Sequence, residues 1–410
     1  MVDGITRSVS DNIGLCNKIS SFKIRSVHIR NILNSHAEFT TELIIEFDDG
    51  SQGIGSSSKG ETISIYEDSK SSIDPRAIID AIKGAHFYGQ EIDQDGFDCY
   101  LENNMERFGR NNCFALSLAF HNAAVNSVGI DDSKPGVIPR LCLNILNGGW
   151  HAYTNPVLCD FSEIMIVPRQ NNIVGTLNEH HLIQKRVREK MLELKKTVIN
   201  RNQVNVFNDK DNRAPIDFLV EILRELGLRD KYDLMIDASA GDLKTADGYR
   251  FSLTDGSVRT TSQLCEYWKE LSENYEIKFL EDPFHERDFT GWQELTATKT
   301  EGCNIIGDNL YSSDAMRIME GANEGYSNGI IIKPNQAGTV TAVVEAVKTA
   351  RSHNQIIISS HRSISTESTY ICSITNRYDI PYIKIGPLLT DYSSLIRLNE
   401  LIRLAGVEYV

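Results

Sequence analysis

The sequence predicts an α/β chain: a C-terminal (β/α) barrel preceded by a smaller α+β module. Three observations predict it. Short apolar runs alternate with amphipathic segments through the last two-thirds of the 410 residues. The first third places strand-like runs before helical ones, and the later apolar runs repeatedly end in a charged residue.

The elements come in this order. Residues 1–23 are polar, rich in Ser and Asn and aperiodic, and read as a flexible N-terminal arm. A strand-like pattern starts at Ile24. The run Thr40-Thr41-Glu42-Leu43-Ile44-Ile45-Glu46-Phe47 is β-rich and ends at Asp48-Asp49-Gly50, a turn signal leading to a second strand. Gly53-Ile54-Gly55-Ser56-Ser57-Ser58-Lys59-Gly60 reads as a Ser/Gly loop. Helical patterns over 74–84 and 115–128, the second with small residues on one face, complete an α+β domain expected over 24–145.

Residues 146–410 read as the barrel. Pro215 can open a helix, and Phe218, Ile222 and Leu226 recur every four residues before Gly227 stops it. Strands are expected at 234–237, 277–281, 305–308, 330–333, 356–360 and 382–385, with amphipathic stretches such as 340–350 and 395–404 between them. Alternating β and α implies parallel strands with right-handed crossovers, and six consecutive units favour closure over an open sheet. No G-x-G-x-x-G or P-loop follows any strand, which weakens a nucleotide-binding reading.

Composition removes other classes. Lys and Arg number 42 against 56 Asp and Glu, a net charge of −14, and a face of that sign repels a nucleic-acid backbone. No run of 18 apolar residues is present, so no membrane-spanning helix is expected. The first residues lack an apolar core behind a basic start, which argues against a signal peptide. Eight scattered cysteines without a C-x-x-C pair fit reduced thiols in a cytoplasmic protein better than disulfides or a zinc site.

The chemistry is read from the strand ends. Asp237, Glu281, Asp308, Lys333 and Lys384 each end a predicted strand, and a sixth strand runs into His361-Arg362-Ser363. In a parallel barrel these ends share one face. A single strand-end Asp is usually a cap or turn former, but three converging carboxylates repel unless a cation neutralises them. Oxygen-only ligands select Mg²⁺. A lysine beside a dication and another lysine has its ammonium form disfavoured, which suits a general base. Mg²⁺ on a substrate carboxylate stabilises the enediolate left when an α-proton departs. Arg362 and the neighbouring hydroxyls suit a phosphate, although Arg362 paired to an acidic neighbour is an equal reading of that residue alone.

Several segments resemble the enolase (phosphopyruvate hydratase) family. They are Asn144-Ile145-Leu146-Asn147-Gly148-Gly149-Trp150-His151-Ala152, Glu163-Ile164-Met165-Ile166-Val167-Pro168 and Leu280-Glu281-Asp282-Pro283-Phe284. Gly307-Asp308-Asn309-Leu310, Ile332-Lys333-Pro334-Asn335-Gln336-Ala337-Gly338-Thr339, Ser360-His361-Arg362-Ser363 and Ile383-Lys384-Ile385-Gly386 extend the match. The resemblance implies a (β/α)8-like barrel whose early units depart from plain alternation, an N-terminal lid domain and a homodimer. It implies reversible dehydration of 2-phosphoglycerate to phosphoenolpyruvate in glycolysis, with Asp237, Glu281 and Asp308 as Mg²⁺ ligands and Lys333 as base. Lys384 then pairs with the substrate carboxylate, Arg362 and Ser363 contact the phosphate, and His361 and His151 line the pocket. Glu163 supports the acid step, and Ser58 falls where a mobile loop brings a serine to a second Mg²⁺.

The acid side departs from the family pattern. Lys210, within Asn208-Asp209-Lys210-Asp211-Asn212-Arg213-Ala214-Pro215, stands where the family has a catalytic glutamate, unless the loop has slid and Asp209 or Asp211 serves. Ser162 replaces a glutamine, His36 an arginine, Asn309 an aspartate and Ile364-Ser365 a Gly-Glu pair, with about three extra residues between His151 and Glu163. Two other readings therefore stand beside enolase. One is a phosphonate-pathway relative, similar to carboxyphosphonoenolpyruvate synthase, in which Lys210 grips an additional anion. The other is a catalytically silent binding protein.

Overall fold

The computed structural model describes residues 21–56, 58–60, 63–67, 75–85, 87–129, 137–149, 154–193, 210–388 and 391–406. The expected arm therefore lies outside the described residues as far as residue 20.

The N-terminal domain is an antiparallel sheet of four strands, β1 (Phe22–Leu33), β2 (Phe39–Phe47), β3 (Gln52–Ser56) and β4 (Glu91–Ile92), in the order β3-β2-β1-β4. β1 starts at Phe22, ahead of the expected Ile24, because the Phe22 ring stacks on Phe47 with centroids 4.7 Å apart. The front of the expected Ser/Gly loop is also strand: β3 takes up Gly53 to Ser56. Its glycines are required by the helix Arg110–Val128 lying on it. A Cβ on Gly53 would stand 2.0 Å from the Ala119 carbonyl oxygen, and one on Gly55 1.9 Å from that of Ala115. The small-residue face Ala115, Ala119, Ala123 thus meets the Gly53/Gly55 face of β3, and backbone packs on backbone.

The second sheet has nine strands. β5 (Arg140–Leu141), β6 (Leu143–Asn147), β7 (Glu163–Pro168) and β8 (Tyr232–Asp237) come first in the chain. A small separate sheet follows, with β9 (Lys244–Thr245), β10 (Gly248–Arg250) and β11 (Val258–Arg259). Then come β12 (Ile277–Glu281), β13 (Asn304–Gly307), β14 (Gly329–Ile332), β15 (Ile356–Ser360) and β16 (Tyr382–Lys384). The order β5-β16-β15-β14-β13-β12-β8-β7-β6 brings β5 and β6, separated only by Cys142, to opposite edges, so the chain at Cys142 nearly closes the barrel. The pairs from β8 through β16 to β5 are parallel, as alternation predicts, while β7 is antiparallel to both β6 and β8. Barrel-sheet pairing thus begins at Arg140, a few residues before the expected boundary at 146.

Two apolar layers hold the barrel. Met165, Met235, Phe279, Ile306, Ile331, Ile358 and Tyr382, one from each of seven strands, form an inner cluster with Cys142 and Val167. The alternate strand residues, such as Ile164, Ile236, Leu280 and Ile330, pack outward against the helices. Among these helices Ala214–Glu225 has Pro215 in its first turn and buries Phe218 and Ile222, as its spacing predicts. The described cysteines are free thiols, all buried except Cys99. Among the described residues no helix is long and apolar enough to cross a membrane.

Candidate active site

Strand periodicity builds the site. On the six strands β8 and β12 to β16 the inner-cluster residue is followed two positions later by a polar residue, which the period of two puts on the same inner face, one step nearer the rim. Met235 leads to Asp237, Phe279 to Glu281, Ile306 to Asp308, Ile331 to Lys333, Ile358 to Ser360 and Tyr382 to Lys384. β7 supplies its group from the other direction. Because it runs antiparallel, its first residue, Glu163, reaches the rim where its neighbours end, paired in register with Asp237, which in turn pairs with Glu281.

A cavity of about 500 Å³ opens over this rim, walled by Glu163, Asp237, Asp308, Lys333, Lys384 and the His361-Arg362-Ser363 run. The N-terminal domain contributes Ser35, His36, Ala37 and Gly60 to its wall. The strand-end residues that the sequence singles out are thereby brought together, with Glu281 beneath them, bonded to Lys384. Ser58 lies in an adjoining groove, its carbonyl oxygen accepting from Asn335 Nδ2 at 3.0 Å. Lys210 is exposed at a left-handed φ of 45° and does not line the cavity. His151 and Asp209 lie outside the described residues.

The two lysines divide the carboxylates. Lys384 Nζ stands 2.8 Å from Glu163 Oε2, 2.9 Å from Glu281 Oε2 and 3.2 Å from Asp237 Oδ2. Lys333 Nζ pairs with Asp308 Oδ2. Burial alone would lower the Lys384 pKa, but Glu163, Glu281 and Asp237 outweigh it and hold the ammonium well above its usual range. Lys384 is thus an ammonium among the bare carboxylates, whereas the expectation of a disfavoured ammonium concerns a lysine beside a dication. Burial together with the negative charge of Asp237 pushes Glu281 well up, whereas Asp237, despite burial, is held low by Lys384 and Lys333. Burial and the cations Arg397 and Lys384 keep His361 neutral. Its Nδ1 lies 2.7 Å from the Arg362 carbonyl oxygen, which can only accept, so Nδ1 carries the proton.

Sequence reasoning missed several supporting groups. Asn144 Nδ2 donates to Glu163 Oε1 at 2.7 Å, and Ser239 donates to Asp237 Oδ1 through its backbone N and its hydroxyl, at 3.1 and 2.9 Å. Buried Asp282 accepts from the backbone N of Asp308 and of Asn309, both at 2.9 Å, and so sets the turn carrying Asp308. Asn144 and Asp282 lie inside the matched segments; their neighbours, not their spacing, reveal their task. Arg362 pairs with Glu67 at 2.8 Å, an acidic partner as one sequence reading allowed, but from the other domain.

The donor set fits a hard divalent cation by charge and chemistry. Four carboxyl groups face two lysines, an acidic majority, and all their donor atoms are oxygens. Asp308 Oδ1 is buried without a hydrogen-bond partner. With Lys384 and Lys333 seated on the carboxylates, no three ligating side chains among the described residues are gathered closely enough to hold an ion as they stand. A bound dication would therefore have to displace part of this lysine pairing.

Comparison with known proteins agrees with the architecture. The family model for the enolase C-terminal TIM barrel domain matches residues 135–407. The chain is 30% identical over 341 residues to the enolase of Ehrlichia ruminantium strain Welgevonden, covering 78% of this chain and 79% of that protein. The enolase of strain Gardel matches with the same identity and coverage.

Proposed function

The chain belongs to the enolase family, and on that premise we propose that it catalyses the reversible dehydration of 2-phosphoglycerate to phosphoenolpyruvate. The observation that carries the reading is the pair of lysines seated on different rim carboxylates, Lys333 on Asp308 and Lys384 on Glu281, in one cavity with Arg362 and Ser363. Asp237, Glu281 and Asp308 would hold Mg²⁺, which when bound supplies electrostatic stabilisation for the negative charge that builds on the substrate carboxylate.

The chain's own residues then divide the work. Lys333, as the amine, takes the α-proton. Lys384, with Glu163 beside it at 2.8 Å, serves as the cation for the substrate carboxylate. Arg362 and Ser363 seat the phosphate. The C3 hydroxyl leaves as water with a proton drawn from solvent, a step supported by the hydrogen bonds around Glu163, which Asn144 sets. Lys210 lies outside the cavity, so it lends no support to an additional anion clamp. The same reading carries a homodimer and a cytoplasmic, glycolytic setting.

The test is the absorbance of phosphoenolpyruvate formed from 2-phosphoglycerate with Mg²⁺. Turnover that chelation abolishes is expected. Binding of 2-phosphoglycerate without elimination, in the presence of Mg²⁺, would sink the proposed reaction.

A further inference from the structure

The pair Glu67–Arg362 joins the lid to the anion side of the cavity. Arg362 Nη1 stands 2.8 Å from Glu67 Oε2, with the two side chains only 4% and 8% exposed. Arg362 lines the cavity and Glu67 does not, so the carboxylate works from behind the guanidinium. The other oxygen, Glu67 Oε1, accepts from Gln336 Nε2 at 3.0 Å. Gln336 Oε1 accepts from Ser313 Oγ at 3.1 Å, and Ser313 Oγ accepts from the backbone N of Lys333 at 2.8 Å. One lid carboxylate thus ends two lines of hydrogen bonds, one at the guanidinium and one at the backbone of Lys333.

The short segment carrying Glu67 is itself anchored on the barrel. Ser64 Oγ donates to the Asn309 carbonyl oxygen at 2.9 Å, and the Arg317 guanidinium lies 4.4 Å from the centre of the Tyr66 ring. Burial would raise the Glu67 pKa, but Arg362 and Gln336 outweigh it and keep the carboxylate ionised. A guanidinium fixed at one edge presents its remaining N–H groups in a set direction, the pre-organisation that anion recognition requires.

We propose that Glu67 is a positioning residue that fixes the Arg362 anion seat and, through Gln336 and Ser313, the backbone of Lys333, in one register. The inference rests on the reading of this cavity as a site for a phosphorylated carboxylic acid. Glu67 does not touch the substrate. It makes the geometry of the two halves of the site depend on a residue of the other domain.

The experiment compares Glu67→Gln, Glu67→Asp and Ser313→Ala in the full chain with Mg²⁺. It measures the affinity for inorganic phosphate by calorimetry, and kcat and KM for 2-phosphoglycerate. Losing a hydrogen bond to a charged group corresponds to about a tenfold to hundredfold change in affinity. Glu67→Gln is therefore expected to weaken phosphate by at least about tenfold and to raise KM in parallel, with Glu67→Asp in between. Ser313→Ala is expected to leave phosphate affinity within about twofold and to lower kcat. Phosphate binding by Glu67→Gln as tight as wild type, or tighter as competition between Glu67 and the anion predicts, overturns the proposal; so does wild-type affinity in Glu67→Asp if the glutamine variant fails to fold. An unchanged kcat in Ser313→Ala overturns the link to Lys333. A wild-type protein that binds phosphate without turning over 2-phosphoglycerate defeats the activity reading alone, because the phosphate comparison still decides the role of Glu67.

Discussion

Lys384 Nζ stands 2.9 Å from Glu281 Oε2, an ammonium against a carboxylate that is fully shielded from solvent. Removing one partner of such a pair leaves the other charged in a poor dielectric, which typically costs about 3–5 kcal/mol. Lys384→Met is therefore expected to lower the urea midpoint strongly in a chelator. Mg²⁺ replaces the missing positive charge and should narrow the gap between variant and wild type. The same gap with and without Mg²⁺ would contradict a cation site at these carboxylates.

Lys333 and Lys384 should separate in an isotope experiment. Deuterium wash-in at the α-carbon of 2-phosphoglycerate reads proton removal without requiring elimination. Lys333→Ala is expected to lose it by about 10²–10⁴-fold, the usual contribution of a positioned base. Lys384→Ala should mainly raise the substrate concentration needed to observe it. Equal wash-in in wild type and Lys333→Ala would refute the assignment of the base.

Lys210 is exposed and outside the cavity. Surface substitutions away from special contacts usually shift energies by about 0.5 kcal/mol or less. Lys210→Ala and Lys210→Glu are accordingly expected to change kcat/KM for 2-phosphoglycerate by less than about threefold. A large gain in Lys210→Glu would instead place this position in the acid step.

Acid should destabilise the fold through two histidines. Burial pulls His121 and His180 down to about 4 from 6.5. Below pH 6.5 the unfolded chain takes up protons that the folded chain refuses, so stability falls as pH drops from 6.5 towards 4, by up to about 3 kcal/mol per histidine. Asp98 acts oppositely: burial raises it to about 6 from 3.8, so the folded chain gains relative stability as pH falls through 6. Glu281 and Asp282, also pushed well up, act in the same sense as Asp98. The histidine contribution is therefore read by difference: between pH 7 and pH 5 the urea midpoint of His121→Phe should rise relative to that of wild type, and an unaltered difference would exclude His121 as a source.

Period-two alternation and parallel pairing are local properties, and the sequence by itself determined the features they generate. The barrel from 232 onward and the gathering of Asp237, Glu281, Asp308, Lys333 and Lys384 at one rim come from which residues stand two places beyond an inward apolar one, and the helix at Pro215 from apolar residues recurring every four positions. Tertiary structure decided the rest. The reversed direction of β7 delivers Glu163 to the rim from a strand's beginning, and strand direction leaves no mark in composition. Glu67 meets Arg362 across 295 positions of sequence, a contact that depends on how one domain docks on another. Whether Lys384 becomes a base or a held cation depends on three carboxylates from three other strands. A side chain's charge state is set by distances to its neighbours in space, and those distances exist only once the chain has folded.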